Sequence, residues 1–386
     1  MKIAIYSGTA PSTTFIERLI KGIANKGVTV YIFGIQNQNL NYNKNCKLIT
    51  YSNNVSKLFL ILKYSLLLSL FKSKEKKKLD SLYSKKTGSK INWKAKCYPV
   101  LYHKPDIFHL QWVKGIAEWM WVKEFGCKIV VSLRGTHITI SPLADSTLAT
   151  NYRSNFPNVD GFHAVSKAIK NEALLYNADA TKMDVVYSGL QLSDFPFKNG
   201  STSSSKVMLL SVGRSHWLKG YRYGLQAASL LKKRGIAFQY DIIGVDQEEE
   251  LLFLRHQLNL EQEVFFHPYM SFDAINLKMQ NAAIFLLPSV TEGIANVALE
   301  AMALGSIVLS SDCGGMTEVI QDGINGFVTK SRDAAAMAQK VETIIALSDN
   351  EKAIIRDNAR ATICNQFSEY QMVKGILELY NKVLNQ

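Results

Sequence analysis

A glycine-containing loop with two cations follows an apolar run, at residues 207–212, that predicts a buried β-strand. The next nine residues read Gly-Arg-Ser-His-Trp-Leu-Lys-Gly-Tyr. Glycines such as Gly213 let backbone N–H groups approach phosphate oxygens, Arg214 offers a forked pair of donors, and Lys219 adds a point charge. The loop therefore favours binding of a diphosphate whose charge the two cations neutralise. A solvated basic loop is the open alternative.

A second candidate site follows the apolar run at residues 284–287. It contains Glu292 and, eight residues later, Glu300. The pattern indicates a helix start, where free N–H groups and the helix dipole favour oxygen ligands, so Glu292 can meet sugar hydroxyls and Glu300 a ribose diol. Two solvated glutamates are the alternative, which the surrounding apolar residues disfavour. The expected backbone contacts to the donor are those of Gly293, Ile294, Ala295, Asn296 and Val297.

Metal-binding patterns are absent from the sequence. No Asp-x-Asp occurs, and no His/Asp/Glu cluster has the spacing of metal ligands. A divalent cation that bridges a diphosphate would therefore have no obvious protein ligand. We expect no metal and no other cofactor, with Arg214 and Lys219 supplying the positive charge.

These motifs together resemble the GT4 glycosyltransferases, whose hallmark is two glutamates separated by seven residues. The resemblance continues through residues 305–308, 312–318 and 322–328, and it is strongest after residue 206. It implies a retaining, metal-independent enzyme of GT-B architecture. Such an enzyme moves a hexose-type sugar from a nucleotide diphosphate to a glycan or lipid-linked acceptor in cell-envelope, capsule or exopolysaccharide synthesis.

The resemblance also implies roles for individual residues. Arg214 and Lys219 would bind the donor diphosphate and, with Glu292 as the orienting residue, form the catalytic set. Glu300 would bind the ribose, Glu292 and the amides after it would bind the donor sugar, and Tyr269 would border the nucleotide base. No enzymic nucleophile is needed if the leaving phosphate takes the proton of the acceptor.

Acceptor-side candidates lie in the first half of the chain. Thr13 stands, together with the donor-binding candidate Gly8, in a loop that resembles the first phosphate-facing and acceptor-facing loop of the family, although a turn that only starts a helix is equally consistent. Residues 134–137 read Arg-Gly-Thr-His where many members have His-Gly-x-Asp. Arg134 is expected to contact an anionic oxygen and His137 to supply a hydrogen bond or proton, or both are structural.

Short apolar runs alternate with helical patterns, which is typical of parallel sheets covered by helices on both faces. We predict an α/β fold of two doubly wound, Rossmann-like domains facing a cleft, at residues 1–196 and 206–365, with a C-terminal helix at 366–386 that packs on the first domain. Residues 197–206 form the linker. The predicted strands are residues 3–6, 29–33, 107–109, 128–133, 161–165, 184–187, 207–212, 240–243, 264–266, 284–287, 307–310 and 326–328.

Composition indicates a cytoplasmic protein. The five cysteines are scattered without disulfide or zinc spacing, and the first apolar run is too short for a secretory signal. Residues 58–71 are apolar over 14 positions, fewer than the roughly 20 that a spanning helix needs. We therefore expect no membrane crossing.

Positive charge is concentrated in one segment, residues 57–104. It holds thirteen lysines, no arginine and two acidic residues, a net charge of +11 out of +13 for the chain. One interpretation is peripheral docking on the anionic inner face of the cytoplasmic membrane, and the other is a core helix followed by a solvated loop. The segment has no nucleic-acid recognition module, so no nucleic-acid partner is expected.

A nucleotide-sugar epimerase and a non-catalytic nucleotide-sugar-binding scaffold are the alternative functions.

Overall fold

The computed structural model describes residues 1–83, 89–200 and 206–386. The chain divides into two compact units. The first contains Met1–Val165, Lys170–Val186 and Met372–Gln386, and the second contains Ser166–Ile169 and Tyr187–Gln371. The predicted domain limits at residues 196 and 206 stay a prediction, and residues 201–205 of the predicted linker lie outside the described residues.

The first unit is built on an eight-stranded sheet within the described residues, and every strand pair in it is parallel. Its order is β2, β3, β1, β5, β6, β7, β8, with β4 also paired to β3. The strand order reverses between β1 and β5, so loops after these strands meet at a switch point of the sheet. The strands are β1 Lys2–Tyr6, β2 Gly8–Ala10, β3 Thr29–Gln36, β4 Cys46–Tyr51, β5 Ile107–Leu110, β6 Lys128–Leu133, β7 Gly161–Ala164 and β8 Met183–Val185.

Helices cover this sheet, and the last of them comes from the end of the chain. The helices up to β8 are α1 Thr14–Asn25, α2 Asn54–Phe71, α3 Ser73–Tyr83, α4 Lys90–His103, α5 Ile116–Trp119, α6 Thr136–Thr139, α7 Ser141–Ala144, α8 Ser146–Asn155 and α9 Lys167–Leu174. The final helix, α16 at Glu369–Leu384, contributes Ile376 and Leu379 to the same core as Val130.

The second unit has a six-stranded parallel sheet in the order β11, β10, β9, β12, β13, β14. The chain builds one side of this sheet first and then returns to β12, so the switch point lies between β9 and β12. The strands are β9 Val207–Val212, β10 Phe238–Ile243, β11 Val264–His267, β12 Ile284–Leu287, β13 Ile307–Ser311 and β14 Phe327–Thr329.

Alternating side chains of these strands enter two different cores. Leu209 packs with one helical layer and Leu210 with the other, as expected because successive side chains of a strand point to opposite faces. Both faces are apolar, which explains why these strands read as continuous hydrophobic runs. The helices are α10 Tyr221–Lys233, α11 Glu249–Gln257, α12 Phe272–Asn281, α13 Asn296–Leu304, α14 Ala334–Ala346 and α15 Asp349–Gln366.

The doubly wound fold class that the sequence predicted is confirmed, with two differences in detail. Strands β2 and β4 were missed, because β2 has only three residues and β4 follows a polar stretch without a clear alternation. The 14-residue apolar run at 58–71 lies within the longer helix α2, which has 18 residues and is capped by Asn53 through a hydrogen bond from Ser56 N to Asn53 Oδ1 (2.8 Å). By length and composition α2 could cross a bilayer, with a mean hydropathy of 1.4, which alone is weak evidence.

A buried polar cluster crosses the first sheet. His109 shares hydrogen bonds with Tyr380 Oη (2.6 Å) and Ser132 Oγ (2.9 Å), and His163 shares them with the same Ser132 Oγ (2.9 Å) and with Val186 O (2.9 Å). Burial lowers the pKa of His163 to about 3 and that of His109 well below the ordinary value. His109 is therefore a core residue whose two ring nitrogens both have hydrogen-bond partners.

We expect the first unit to lose stability as the pH falls from about 6.5 to about 5. Both histidines stay neutral in the folded state, whereas the unfolded chain protonates them near 6.5. The unfolded state then binds more protons, so the free energy of unfolding falls by about 1.4 kcal/mol per pH unit for each histidine. Urea unfolding at several pH values measures the slope. His163→Asn should reduce it, and a flat profile in the wild type would contradict the expectation.

Candidate donor site

The cationic loop after β9 lies at the switch point of the second sheet and is held on both sides. Gly213 N donates to Ile243 O (2.9 Å), and Val290 N donates to Leu218 O (2.7 Å). Tyr221 Oη also donates to Gly213 O (2.8 Å). The loop that carries both predicted cations is therefore tied to the loops after β10 and β12.

Lys219 and Glu292 form an ion pair in this loop cluster. Lys219 Nζ lies 2.7 Å from Glu292 Oε1, and their side chains are only 20% and 17% exposed. Ser289 Oγ donates to the same oxygen at 3.1 Å. The structure thus brings together two predicted residues that are 73 positions apart, and it leaves Glu292 Oε2 without a partner among the described residues. A partly buried ammonium and a free carboxylate oxygen can serve adjacent phosphate and hydroxyl groups.

The helix after this loop begins among the residues whose backbone contacts were predicted. Helix α13 starts at Asn296, with Ala295 in extended backbone geometry at its N-cap. Glu292 therefore lies in the loop and only Glu300 on the helix. The loop is favoured because Gly293 cannot stabilise a helix as other residues do, and its carbonyl accepts a hydrogen bond from Gly315 N (2.9 Å).

The residues predicted to contact the donor through their backbone lie at the start of α13. Ala295 N is turned inward and donates to Met316 Sδ (3.4 Å). Asn296 Oδ1 is buried without a hydrogen-bond partner among the described residues. A buried amide oxygen without a partner is costly, and a ligand donor would satisfy it. Ile294 and Val297 are half-buried beside it.

A second glycine-rich turn, at Gly314, packs against the backbone of Glu292. Gly314 has φ +55°, and a Cβ there would lie 1.7 Å from the Glu292 carbonyl oxygen. On the other side, a Cβ at Gly220, which has φ +65°, would lie 1.9 Å from the carbonyl oxygen of Pro288. Only glycine allows these close approaches in left-handed backbone geometry. The site thus lies between two turns in which any side chain would clash with the neighbouring backbone.

The remaining donor-site candidates differ in how far the structure positions them. Arg214 is exposed and makes no hydrogen bond or ion pair among the described residues. Glu300 is half-buried on α13. Tyr269 follows β11 and is 82% exposed. Arg214 and Tyr269 therefore lack the fixed geometry of Lys219 and Glu292.

The acceptor-side candidates and Gly8 lie in the first unit. Gly8 begins β2 and pairs with Gly34 of β3. Thr13 is exposed and precedes α1, but its side chain makes no capping hydrogen bond. Its backbone oxygen accepts from Ile16 N at 2.9 Å. A role in starting the helix explains Thr13 without any ligand.

Arg134, in the loop after β6, has a buried and incompletely hydrogen-bonded guanidinium. Its Nη2 donates to Gln111 Oε1 (3.1 Å), its guanidinium lies 4.6 Å from the ring centre of Phe15, and its Nε is buried without a hydrogen-bond partner. Burial lowers the pKa of Arg134, and no carboxylate pairs with it among the described residues. His137 packs its ring against Trp112, with ring centres 5.2 Å apart. An unpaired guanidinium in such a place suits an anionic ligand group.

Neither thiol nor metal chemistry is evident in this region. Burial, together with the nearby Glu292 charge, raises the pKa of the Cys313 thiol to about 12, so it is a poor nucleophile at neutral pH. Among the described residues no group of three His, Cys, Asp or Glu side chains is placed to hold a metal ion. Metal independence stays a prediction.

Two supporting residues were missed in the sequence. Ser289 follows β12 directly and donates to Glu292. Glu318 accepts hydrogen bonds from Lys167 N (2.8 Å) and Ala168 N (2.9 Å), and so caps the start of α9. A polar residue at the end of a buried strand was the available signal for Ser289, whereas nothing in the local sequence of Glu318 points to α9.

Comparison with known proteins finds a family to which this part of the chain is similar. Residues 194–362 match the family described as "Glycosyl transferases group 1". The putative colanic acid biosynthesis glycosyltransferase WcaL of Escherichia coli is 29% identical over 51% of this chain and 50% of its own length. The amylovoran biosynthesis glycosyltransferase AmsK of Erwinia amylovora is 26% identical over 65% of each chain.

A solved structure with the same fold is that of Anabaena HepE in complex with UDP-glucose. It has a TM-score of 0.69 at 17% identity and covers 99% of both chains. In sequence, by contrast, the chain spans 50% and 65% of the lengths of WcaL and AmsK. Over residues 194–362 the chain is similar to the group 1 glycosyltransferases, and together with the relatives and the fold this similarity supports a GT4-like glycosyltransferase with the GT-B fold.

Proposed function

We propose that this protein transfers a hexose-type sugar from a nucleoside diphosphate to a glycan or lipid-linked acceptor, with retention of anomeric configuration. The observation that carries the proposal is the Lys219–Glu292 pair at 2.7 Å, on the loops after the two strands that flank the switch point. Open α/β sheets bind ligands at this position. Arg214, exposed in the same loop, adds a second cation toward a diphosphate.

The proposed reaction needs no group from the protein that forms a bond to the sugar. The bond between the anomeric carbon and the diphosphate oxygen breaks, and its electron pair stays on the diphosphate. The acceptor oxygen attacks from the same face, and its proton passes to the departing phosphate oxygen. Lys219 and Arg214 stabilise the charge that develops on the leaving group, which is the largest electrostatic contribution available. Glu292 orients the sugar through its hydroxyls, and Glu300 holds the ribose.

The names of the relatives support a role in polysaccharide synthesis. WcaL and AmsK are named for the biosynthesis of colanic acid and amylovoran, two polysaccharides. We propose that this protein likewise adds a sugar to a growing surface glycan or its lipid-linked precursor. Arg134 would then contact an anionic group of the acceptor or donor, with His137 and Thr13 as further acceptor-side residues and Gly8 on the donor side. The proposed location is the cytoplasm, peripheral to the inner face of the cytoplasmic membrane through residues 57–104.

We expect one nucleotide sugar of a panel to raise the unfolding temperature of the purified protein. At about a hundred times its dissociation constant, a ligand stabilises the folded state by about 2.7 kcal/mol, which corresponds to a shift of several degrees. UDP-glucose is the first member of the panel because HepE is solved with it. The shift should persist in EDTA. No shift with any UDP-, GDP- or ADP-sugar would contradict the donor proposal.

Product analysis then separates the alternatives. A transferase releases nucleoside diphosphate faster when a sugar acceptor is present. An epimerase converts the donor sugar into its epimer without net release of nucleotide. A scaffold binds the donor and yields neither product, even on long incubation. The proposal requires the first result.

A further inference from the structure

The outer face of helix α2 exposes an unusual number of large apolar side chains. Only 17% of α2 is buried, although its length and composition make it a candidate membrane span. It exposes seven large apolar side chains, and at 100° per residue six of them fall within one arc of about 120°. The seventh, Phe71, is the last residue of the helix and lies outside this arc. The six are Val55 (65% exposed), Leu58 (55%), Phe59 (69%), Leu62 (57%), Leu66 (62%) and Leu70 (67%). We call these six residues the outer stripe.

The opposite face of α2 is held on the first unit. Tyr64 is buried and its Oη lies 2.8 Å from His103 Nε2 of α4. Lys72 Nζ donates to the carbonyl oxygens of Leu101 and Tyr102 at 3.3 and 3.2 Å. Because one side of α2 is fixed along α4, the helix lies on the protein surface and cannot cross a bilayer without leaving its place in the fold.

Lysines border the outer stripe on both edges. Lys63 is exposed and stands about 80° around the helix from Val55. On the other edge, Lys76 Nζ of α3 donates to Ser65 Oγ (3.0 Å) and Ser69 Oγ (2.7 Å). Lys74 and Lys77 are exposed on α3 and form no ion pair among the described residues. An apolar stripe with basic edges matches the surface of a bilayer that contains anionic lipids.

We propose that the outer stripe of α2 inserts into the interface of an anionic membrane, with the helix parallel to the bilayer plane. This inference deepens the peripheral location in the proposed function, because it names the contact. A second copy of the chain fits this face less well. In a two-fold dimer through this stripe, the same lysines would face each other.

Vesicle flotation of the full-length protein without donor or acceptor tests the inference independently of transfer. Wild-type protein should float with phosphatidylcholine–phosphatidylglycerol vesicles, bind phosphatidylcholine alone weakly, and dissociate at high salt. The double variant Phe59→Ser, Leu62→Ser should bind at least about tenfold more weakly, and Lys63→Gln about fivefold more weakly. Phe253→Ser, which removes a phenylalanine that is 62% exposed on α11, is the matched control and should bind like wild type.

Several results would contradict insertion of the outer stripe into a membrane. Binding that ignores lipid charge, or that survives the double substitution in a folded variant, overturns the inference. The inference is also overturned if the wild-type protein is dimeric, the double variant is monomeric, and neither protein floats with vesicles. In that case the stripe is a self-association surface. Resistance of bound protein to alkaline carbonate extraction would indicate a spanning helix and also overturn it. Thermal unfolding confirms that the variants are folded.

Discussion

Replacement of Lys219 with alanine lowers the turnover number by about two to three orders of magnitude, while the fold survives. The Lys219 side chain is 20% exposed and its ammonium is already positioned by Glu292, so its stabilisation of a leaving diphosphate requires no rearrangement. The loss should appear mainly in kcat, because charge on the leaving oxygen is greatest in the transition state. Arg214→Ala should act in the same direction. Initial rates with the donor selected by thermal shift measure both.

A matched control removes an ion pair of similar length from the same unit. Lys340 Nζ lies 3.0 Å from Asp322 Oδ2, outside the candidate site. Lys340→Ala should leave kcat and KM unchanged, since a partly exposed pair contributes little to stability. Near-normal kinetics in both Lys219→Ala and Arg214→Ala would refute the diphosphate assignment.

Substitution of Gly314 by alanine should disturb the site without touching any group that binds substrate. The new Cβ would lie 1.7 Å from the Glu292 carbonyl oxygen, so the backbone of one loop must move. We expect the free energy of unfolding to fall by about 2–4 kcal/mol. The turnover number should fall at least about tenfold, because a displacement near 1 Å misplaces Glu292. Urea unfolding and initial rates report the two effects.

Gly323 provides the comparison that isolates the close contact. It has φ +76°, and a Cβ there would meet nothing within 4 Å. Gly323→Ala therefore carries only the backbone strain, about 1–2 kcal/mol, and should leave turnover unchanged. If the two alanine variants behaved alike, packing of the Gly314 turn against Glu292 would not be what holds the site.

Much of the fold was predictable because parallel sheets buried on both faces produce continuous apolar runs. Strands β6, β9 and β12 have the predicted limits, since each ends at a glycine or polar turn. The three-residue β2 carries too few residues to show any period. The fold class therefore followed from the sequence, while short strands depended on pairing partners far along the chain.

The candidate site was predictable in its residue types and less so in its geometry. Lys219 and Glu292 stand in loops that follow apolar strands, but only the strand order shows that β9 and β12 are neighbours. The sequence also could not show how the loop around Glu292 is held, because local propensity carries no record of the hydrogen bond from Gly315 N to Gly293 O. Likewise, α2 is apolar nearly all round, so its sequence did not show which face is covered.

The last helix has a consequence for how the protein is made. Residues Met372–Gln386 belong to the first unit, and Tyr380 completes the hydrogen bonds of buried His109. A ribosome delivers this segment only after the whole of the second unit. The first unit therefore cannot finish folding before the second unit has been synthesised, whereas the second can fold as soon as Gln371 has emerged. The unit whose sequence starts first is thus completed after the other unit.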